Sequence, residues 1–244
     1  MIYKRKPPPG NARRVRHIHK NIAGVTTNKC GRLVQFESEH ERKLILLLER
    51  DATVIDFISQ PETLTYVDES GRSRQYTPDF QVWRDNGQIE LHEVVMTRRR
   101  QTKESIRQRE NGARQICQQR HWTYHIHTEE TLPVGYEYAN LDALATFRAD
   151  TYADEEIATW WFTQLQSRGL IHPQIILTEA PPIHPRGLLL NTLYHLLWHG
   201  RVQMAWDAPF IWQGSFHPDA RIWLATKKPQ TSHSATRPVQ EALR

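Results

Sequence analysis

Two alternating strands joined by Asp85-Asn86-Gly87 constrain this chain more than any other feature. Asn-Gly supplies the positive-φ residues that a tight hairpin needs. Ahead of the turn, Tyr76-Thr77-Pro78-Asp79-Phe80-Gln81-Val82-Trp83 has strand composition. Pro78 lacks an N–H and is confined to the start or edge of that strand. Behind the turn, residues 88–96 form the partner strand. The period of two places Leu91, Glu93 and Val95 on one face of it and His92 on the other.

The flanking pattern extends this hairpin into an α/β plan. Ser38 followed by Glu41 has capping-box spacing, and the apolar run Leu44-Ile45-Leu46-Leu47-Leu48 behind it reads as a buried helix. Residues 54–58 and 64–67 read as short strands, separated by Gln60-Pro61. Residues 103–120 are helical in composition, and 122–127 alternate again. The order helix, three antiparallel strands, helix, strand predicts a mixed sheet flanked by helices. After Pro133 the character changes. Residues 141–168 read as helical up to Gly169, and 173–185 as a Pro-broken stretch. Residues 188–199 read as an apolar helix capped by Gly200. Residues 201–205 and 210–212 read as a small hairpin. The expected organisation is a basic arm over 1–36, an α/β domain over 37–138, a winged-helix-like α+β domain over 139–226 and a disordered tail over 227–244.

Charge points to a phosphate-bearing partner. The net charge is +5, and no Asp or Glu occurs before Glu37, whereas Lys4, Arg5, Lys6, Arg13, Arg14, Arg16, Lys20, Lys29 and Arg32 do. Arg98, Arg99, Arg100 and Lys103 form a second run. Basic clusters of this kind gain affinity for nucleic acid by releasing counterions; the competing reading is a solvated tail. Residues expected to meet DNA are Arg13, Arg14, Arg16, Lys20, Lys29, Arg32, Arg74, Arg98, Arg99, Arg100 and Lys103. No run of about 18 apolar residues predicts a membrane span. Cys30 and Cys117 offer neither a disulfide framework nor a CxxC pair, so a cytoplasmic location is expected by default.

Asp79 and Glu93 on paired strands can share one rim, and Glu41 on the preceding helix is a third candidate. Three carboxylates form the oxygen-rich site that Mg²⁺ or Mn²⁺ prefers. The structural alternative has Glu41 as an exposed helix carboxylate and Glu93 as an ion-pair partner of Arg74. A helix bearing Glu, a strand bearing Pro-Asp and a strand bearing Glu-x-Lys resemble the restriction-endonuclease-like plan, PD-(D/E)xK. Here Pro78-Asp79 and Glu93-Val94-Val95 stand in those places, with Val95 where the lysine would be.

Ser38-Glu39-His40-Glu41-Arg42, Gln60-Pro61, Tyr76-Thr77-Pro78-Asp79-Phe80, Glu93-Val94 and Thr123-Tyr124-His125-Ile126-His127 occur in the order and spacing of one family. Together they resemble the TnsA endonucleases, well over residues 22–132 and loosely over 140–225. The resemblance implies a subunit of a cut-and-paste transposase that nicks the 5′ strands of double-stranded DNA at transposon ends. It implies Glu41, Asp79 and Glu93 as catalytic metal ligands for Mg²⁺ or Mn²⁺. It also implies a TnsB-like DDE transposase and a TnsC-like AAA+ regulator as partners. Val95 departs from the family pattern. Either Lys103, Arg98, Arg107 or Arg74 supplies the missing charge, or the chain is a catalytically silent scaffold bridging DNA, transposase and regulator.

Other features read as structural. His125 and His127 share a strand face and form at most half a zinc site, so they read as polar strand surface. Trp160, Trp161 and Trp198 lie in helical stretches and read as core rather than base-stacking platforms.

Overall fold

The computed structural model describes residues 23–225. At its centre is a four-stranded sheet of order β3-β6-β7-β8: β3 (Val54–Ser59), β6 (Phe80–Arg84), β7 (Ile89–Val94) and β8 (Thr123–His127). The first three strands run antiparallel and β8 runs parallel to β7. A parallel pair needs a crossover. Here α2 (Thr97–Thr102) and α3 (Glu104–Arg120) provide it. The mixed α/β sheet flanked by helices is the one expected from the sequence.

Helix α1 (Glu39–Arg50) begins at Ser38, whose hydroxyl accepts from the Glu41 N–H at 3.2 Å. The apolar run from Leu44 to Leu48 wraps the whole helix, which is the mark of a helix buried on more than one side. Leu44, Ile45 and Leu48 pack with Phe57, Phe80 and Val82 on one sheet face, while Leu46 enters the core of the C-terminal half. The opposite sheet face carries Leu91 against Ala113, Ile116 and Cys117 of α3, with Tyr124 beside them. Gly112 is required there, since a Cβ would come within 2.3 Å of the Tyr66 ring.

Several elements differ from the sequence expectation. The arm anticipated over 1–36 is folded at its end: β1 (Gly24–Thr27) pairs with β2 (Leu33–Phe36). Leu33–Phe36 needs this pairing because Val34 and Phe36 are buried against α1. The single strand expected from Tyr76 is two. β5 (Ser73–Tyr76) pairs with β4 (Leu64–Val67), and the chain changes partner at Thr77-Pro78-Asp79, where proline cannot donate to a ladder.

In the C-terminal half the helix expected over 141–168 is broken. Helix α4 (Gly135–Leu144) tightens into 3₁₀ turns at Ala145–Arg148 and Asp150–Tyr152, and α5 (Glu155–Arg168) restarts at the Asp154 cap. The Pro-broken stretch contains α6 (Pro173–Thr178), and α7 (Arg186–Trp198) comes after it. The hairpin expected between 201–205 and 210–212 is replaced by different pairings. β9 (Val202–Met204) pairs with the distant β12 (Ile222–Leu224), because Val202, Met204 and Ile222 share one core. β10 (Ile211–Trp212) pairs with β11 (Ser215–Phe216) across Gln213-Gly214, both at positive φ as a two-residue hairpin turn demands. Trp161 and Trp198 are fully buried in that core, as expected, and the Trp161 indole N–H donates to the Leu189 carbonyl at 3.0 Å. Among the described residues no helix is long and apolar enough to cross a membrane. The expected tail at 227–244 lies outside the described residues.

Candidate functional site

Glu41, Asp79 and Glu93 converge on one cleft of about 340 Å³, whose wall also includes Val95, Arg99, Lys103 and Arg109. Three elements deliver them. Glu41 stands in the first turn of α1, where an acidic side chain is favoured by the helix dipole. Its carboxylate accepts from the Glu37 N–H at 2.8 Å and the Ser38 hydroxyl at 3.0 Å. Asp79 directly precedes β6. Phe80 pairs with His92, so Asp79 stands beside Glu93, and its Oδ2 accepts from the Val94 N–H at 2.8 Å. Glu93 lies on the α3-facing side of β7 and is only 2% exposed. His92 faces the other way, as strand alternation requires.

Glu93 is not partnered by Arg74, which pairs with Asp68 at 2.7 Å. Its partner is Arg109 of α3, with Nη2 at 2.5 Å from Oε1. The other carboxylate oxygen of Glu93 is buried and has no hydrogen-bond partner. Arg109 was missed at sequence level. Its signal is helical spacing: Ser105, Ile106 and Arg109 lie on one face of α3, and all three line the cleft.

The carboxylates crowd one another. Burial, then the neighbouring Asp79 charge, pushes Glu41 up to about 7. Burial and Asp79 also hold Glu93 well above the ordinary carboxylate range, against the pull of Arg109. A divalent cation would relieve this repulsion and satisfy the orphaned oxygen of Glu93, so the residues present fit such an ion. Protons and cation therefore compete. Cation affinity is expected to fall as pH drops through about 7, by at most about tenfold per unit for each proton displaced. Calorimetric Mn²⁺ titrations above and below that pH check it; identical affinities would contradict it. In the metal-free protein the folded state keeps a proton at Glu41 that the unfolded chain loses near 4.5. The shift therefore favours the fold below that value, and the benefit is lost as pH rises towards 7.

Val95 is 6% exposed and lines the cleft, so the position is apolar and brings no charge. Of the lysine substitutes considered, Lys103 alone lines the cleft. Arg107 pairs with Glu104 on an exposed surface, Arg98 is exposed, and Arg74 is engaged by Asp68.

The residues expected at DNA divide. Arg13, Arg14, Arg16 and Lys20 lie outside the described residues. The Lys29 ammonium donates to the carbonyls of Asp51 and Val54, each at 2.8 Å, and so anchors the β1–β2 turn. Arg32 pairs with Asp56 at 3.2 Å, and Arg100 with Glu110 at 2.9 Å. Arg99 and Lys103 face the cleft.

His125 and His127 are not plain strand surface. With His92 they flank Glu90 on the sheet face opposite the cleft. His92 bridges Glu90 Oε2 at 3.0 Å and His127 Nε2 at 2.9 Å, and Arg84 Nε lies 2.9 Å from Glu90 Oε1. Burial, with His92 and His125 adjacent, lowers His127 to about 3.

Residues 51–129 match the family of TnsA-like endonuclease N-terminal domains. This part of the chain is TnsA-like. The matched stretch of the TnsA-like domain contains Asp79, Glu93, Val95 and Arg109, while Glu41 precedes it. Its sheet is the restriction-endonuclease-like one, entered by α1 and closed by β8. No curated protein matches the chain.

Proposed function

We propose that the chain is a metal-dependent DNA endonuclease subunit of a cut-and-paste transposase. It nicks the 5′ strands at transposon ends, in the cytoplasm, beside a TnsB-like DDE transposase and a TnsC-like AAA+ regulator. The observation that carries this reading is the convergence of Glu41, Asp79 and Glu93 on a cleft walled by Arg99, Lys103 and Arg109.

In this reading Glu41, Asp79 and Glu93 hold Mg²⁺ or Mn²⁺. When bound, the ion polarises the phosphodiester and lowers the pKa of water to yield the nucleophile. The protein's own groups do the rest. The Val94 N–H fixes the Asp79 carboxylate, and Glu37 and Ser38 fix that of Glu41. Arg109 orients Glu93 and contributes the positive charge that Val95 lacks. Lys103 and Arg99 meet the phosphate backbone at the mouth. We read the described part of 139–226 as a winged-helix-like module, α7 leading into a small wing, that docks partners.

A second reading rests on one observation. Arg109 already pairs with Glu93, and a guanidinium there competes with a metal ion. Under it the chain is a scaffold that bridges DNA, transposase and regulator without cutting. Nicking of 5′-labelled transposon-end DNA by the assembled complex separates the two. Strands left whole in Mg²⁺ and in Mn²⁺ would sink the nuclease reading.

Val95→Lys refines the test. With Arg109 in place, a second buried cation adds repulsion and little else, so the nicking rate is expected to stay within about threefold of the parent or to fall. In an Arg109→Ala background the same lysine is expected to restore about tenfold or more of the lost rate, a modest part of what a single charge-stabilising group contributes. A large gain from Val95→Lys alone would show that Arg109 does not stand in for the lysine.

A further inference from the structure

The C-terminal half holds another group of ligating side chains, separate from the carboxylate cleft. His195 and His199 stand four residues apart on α7, hence on one helix face. Their ring centroids lie 4.3 Å apart. Asp150 comes from the second 3₁₀ turn, and one ligand atom from each of Asp150, His195 and His199 lies within 4.8 Å of the other two.

The hydrogen bonds decide which atoms are free. Nδ1 of His195 lies 2.9 Å from the Phe147 carbonyl, and Nε2 of His199 lies 3.0 Å from the Arg148 carbonyl. A carbonyl only accepts, so each of these nitrogens carries the hydrogen. A neutral ring then presents a bare lone pair on its other nitrogen, Nε2 of His195 and Nδ1 of His199. Anchoring of the distal N–H by a backbone carbonyl is the usual support of a metal-bound imidazole.

We propose that Asp150, His195 and His199 bind one zinc ion, leaving a fourth position to water. Two imidazoles and a carboxylate suit zinc in donor type and number. Glu90, His92 and His125 offer the same donor types and number, but they are already engaged: Arg84 neutralises the carboxylate, and His92 spends both ring nitrogens on Glu90 and His127. Zinc would tie the 3₁₀ segment to α7. Arg148 of that segment reaches Glu49 of α1 at 3.6 Å and the Thr27 carbonyl at 3.3 Å. The ion therefore braces the seam between the TnsA-like domain and the C-terminal half.

The test uses the full chain stripped with a chelator, titrated with zinc chloride in a calorimeter and with Co²⁺ monitored by its visible absorption. Expected are one nitrogen-ligated ion per chain and a higher melting temperature with zinc. His199→Ala and Asp150→Asn, both at exposed positions, are each expected to weaken binding by at least about 100-fold, the upper range for loss of a mere supporting contact. Asp79→Asn is expected to leave zinc binding intact, so failure here is separable from failure of the nuclease reading. The proposal is overturned if the wild-type chain takes up no zinc. It is also overturned if His199→Ala binds as the wild type does, or if Glu90→Gln rather than His199→Ala removes the ion.

Discussion

Asp79→Asn is expected to lower the rate of 5′-strand nicking by roughly 100- to 1,000-fold, the usual loss when one preorganised charged group is removed from a reaction site. Asparagine keeps an oxygen that can accept from the Val94 N–H, so the junction between β5 and β6 should stay in place. The change removes the negative charge that, after burial, does most to raise both Glu41 and Glu93. Divalent-cation affinity should therefore fall, and Glu41 should titrate closer to an ordinary carboxylate. Single-turnover cleavage of labelled DNA, with the thermal melt as a control for folding, measures the effect. A variant that nicks within a few-fold of the parent would assign the chain to the scaffold reading.

Arg109→Ala is expected to cost about 3 kcal/mol of folding stability near neutral pH, the lower end of the usual loss on removing one partner of a buried ion pair. The Glu93 carboxylate, 2% exposed with Arg109 in place, then loses the guanidinium that pairs with it. It can escape by taking up a proton, which is why the lower end of the range applies. The loss should therefore shrink as the solution is made acidic. Addition of Mn²⁺ should recover part of it, since the ion replaces the missing charge. The double variant Arg109→Ala with Glu93→Gln should be more stable than Arg109→Ala alone, giving a coupling energy of the sign expected for direct partners. Chemical denaturation of the four proteins completes the cycle. A loss below about 0.5 kcal/mol for Arg109→Ala, the range of ordinary surface substitutions, would contradict the pairing.

The residues behind these two predictions were unequally visible before the fold was known. Asp79 and Glu93 announce themselves through local grammar: Pro78 marks the strand start, Asn86-Gly87 marks the turn, and alternation sets the faces. Arg109 has no such mark. Arg107, Arg114 and Arg120 share its helix, and nothing in their order says which arginine meets Glu93. That choice depends on how α3 rolls on the sheet, set by Ala113, Ile116 and Cys117 packing on Leu91. The partner of Val202–Met204 was hidden for the same reason, because a long-range pairing is chosen by a shared core rather than by a turn signal. The broken helix over 145–152 was hidden too: its 3₁₀ turns are tied to the rest of the chain by Arg148 and by the rings of His195 and His199.

By itself the sequence determined the alternating hairpin, the capped apolar helix α1, the crossover helix and the three carboxylates, because each depends on contacts within a few residues. Only the tertiary structure decided that α1 serves two cores and that Arg109 pairs with Glu93 in the cleft that Val95 also lines. It alone brought Asp150 to His195 and His199. Those outcomes depend on side chains distant in sequence, whose approach is fixed by packing and by the need to satisfy buried polar groups.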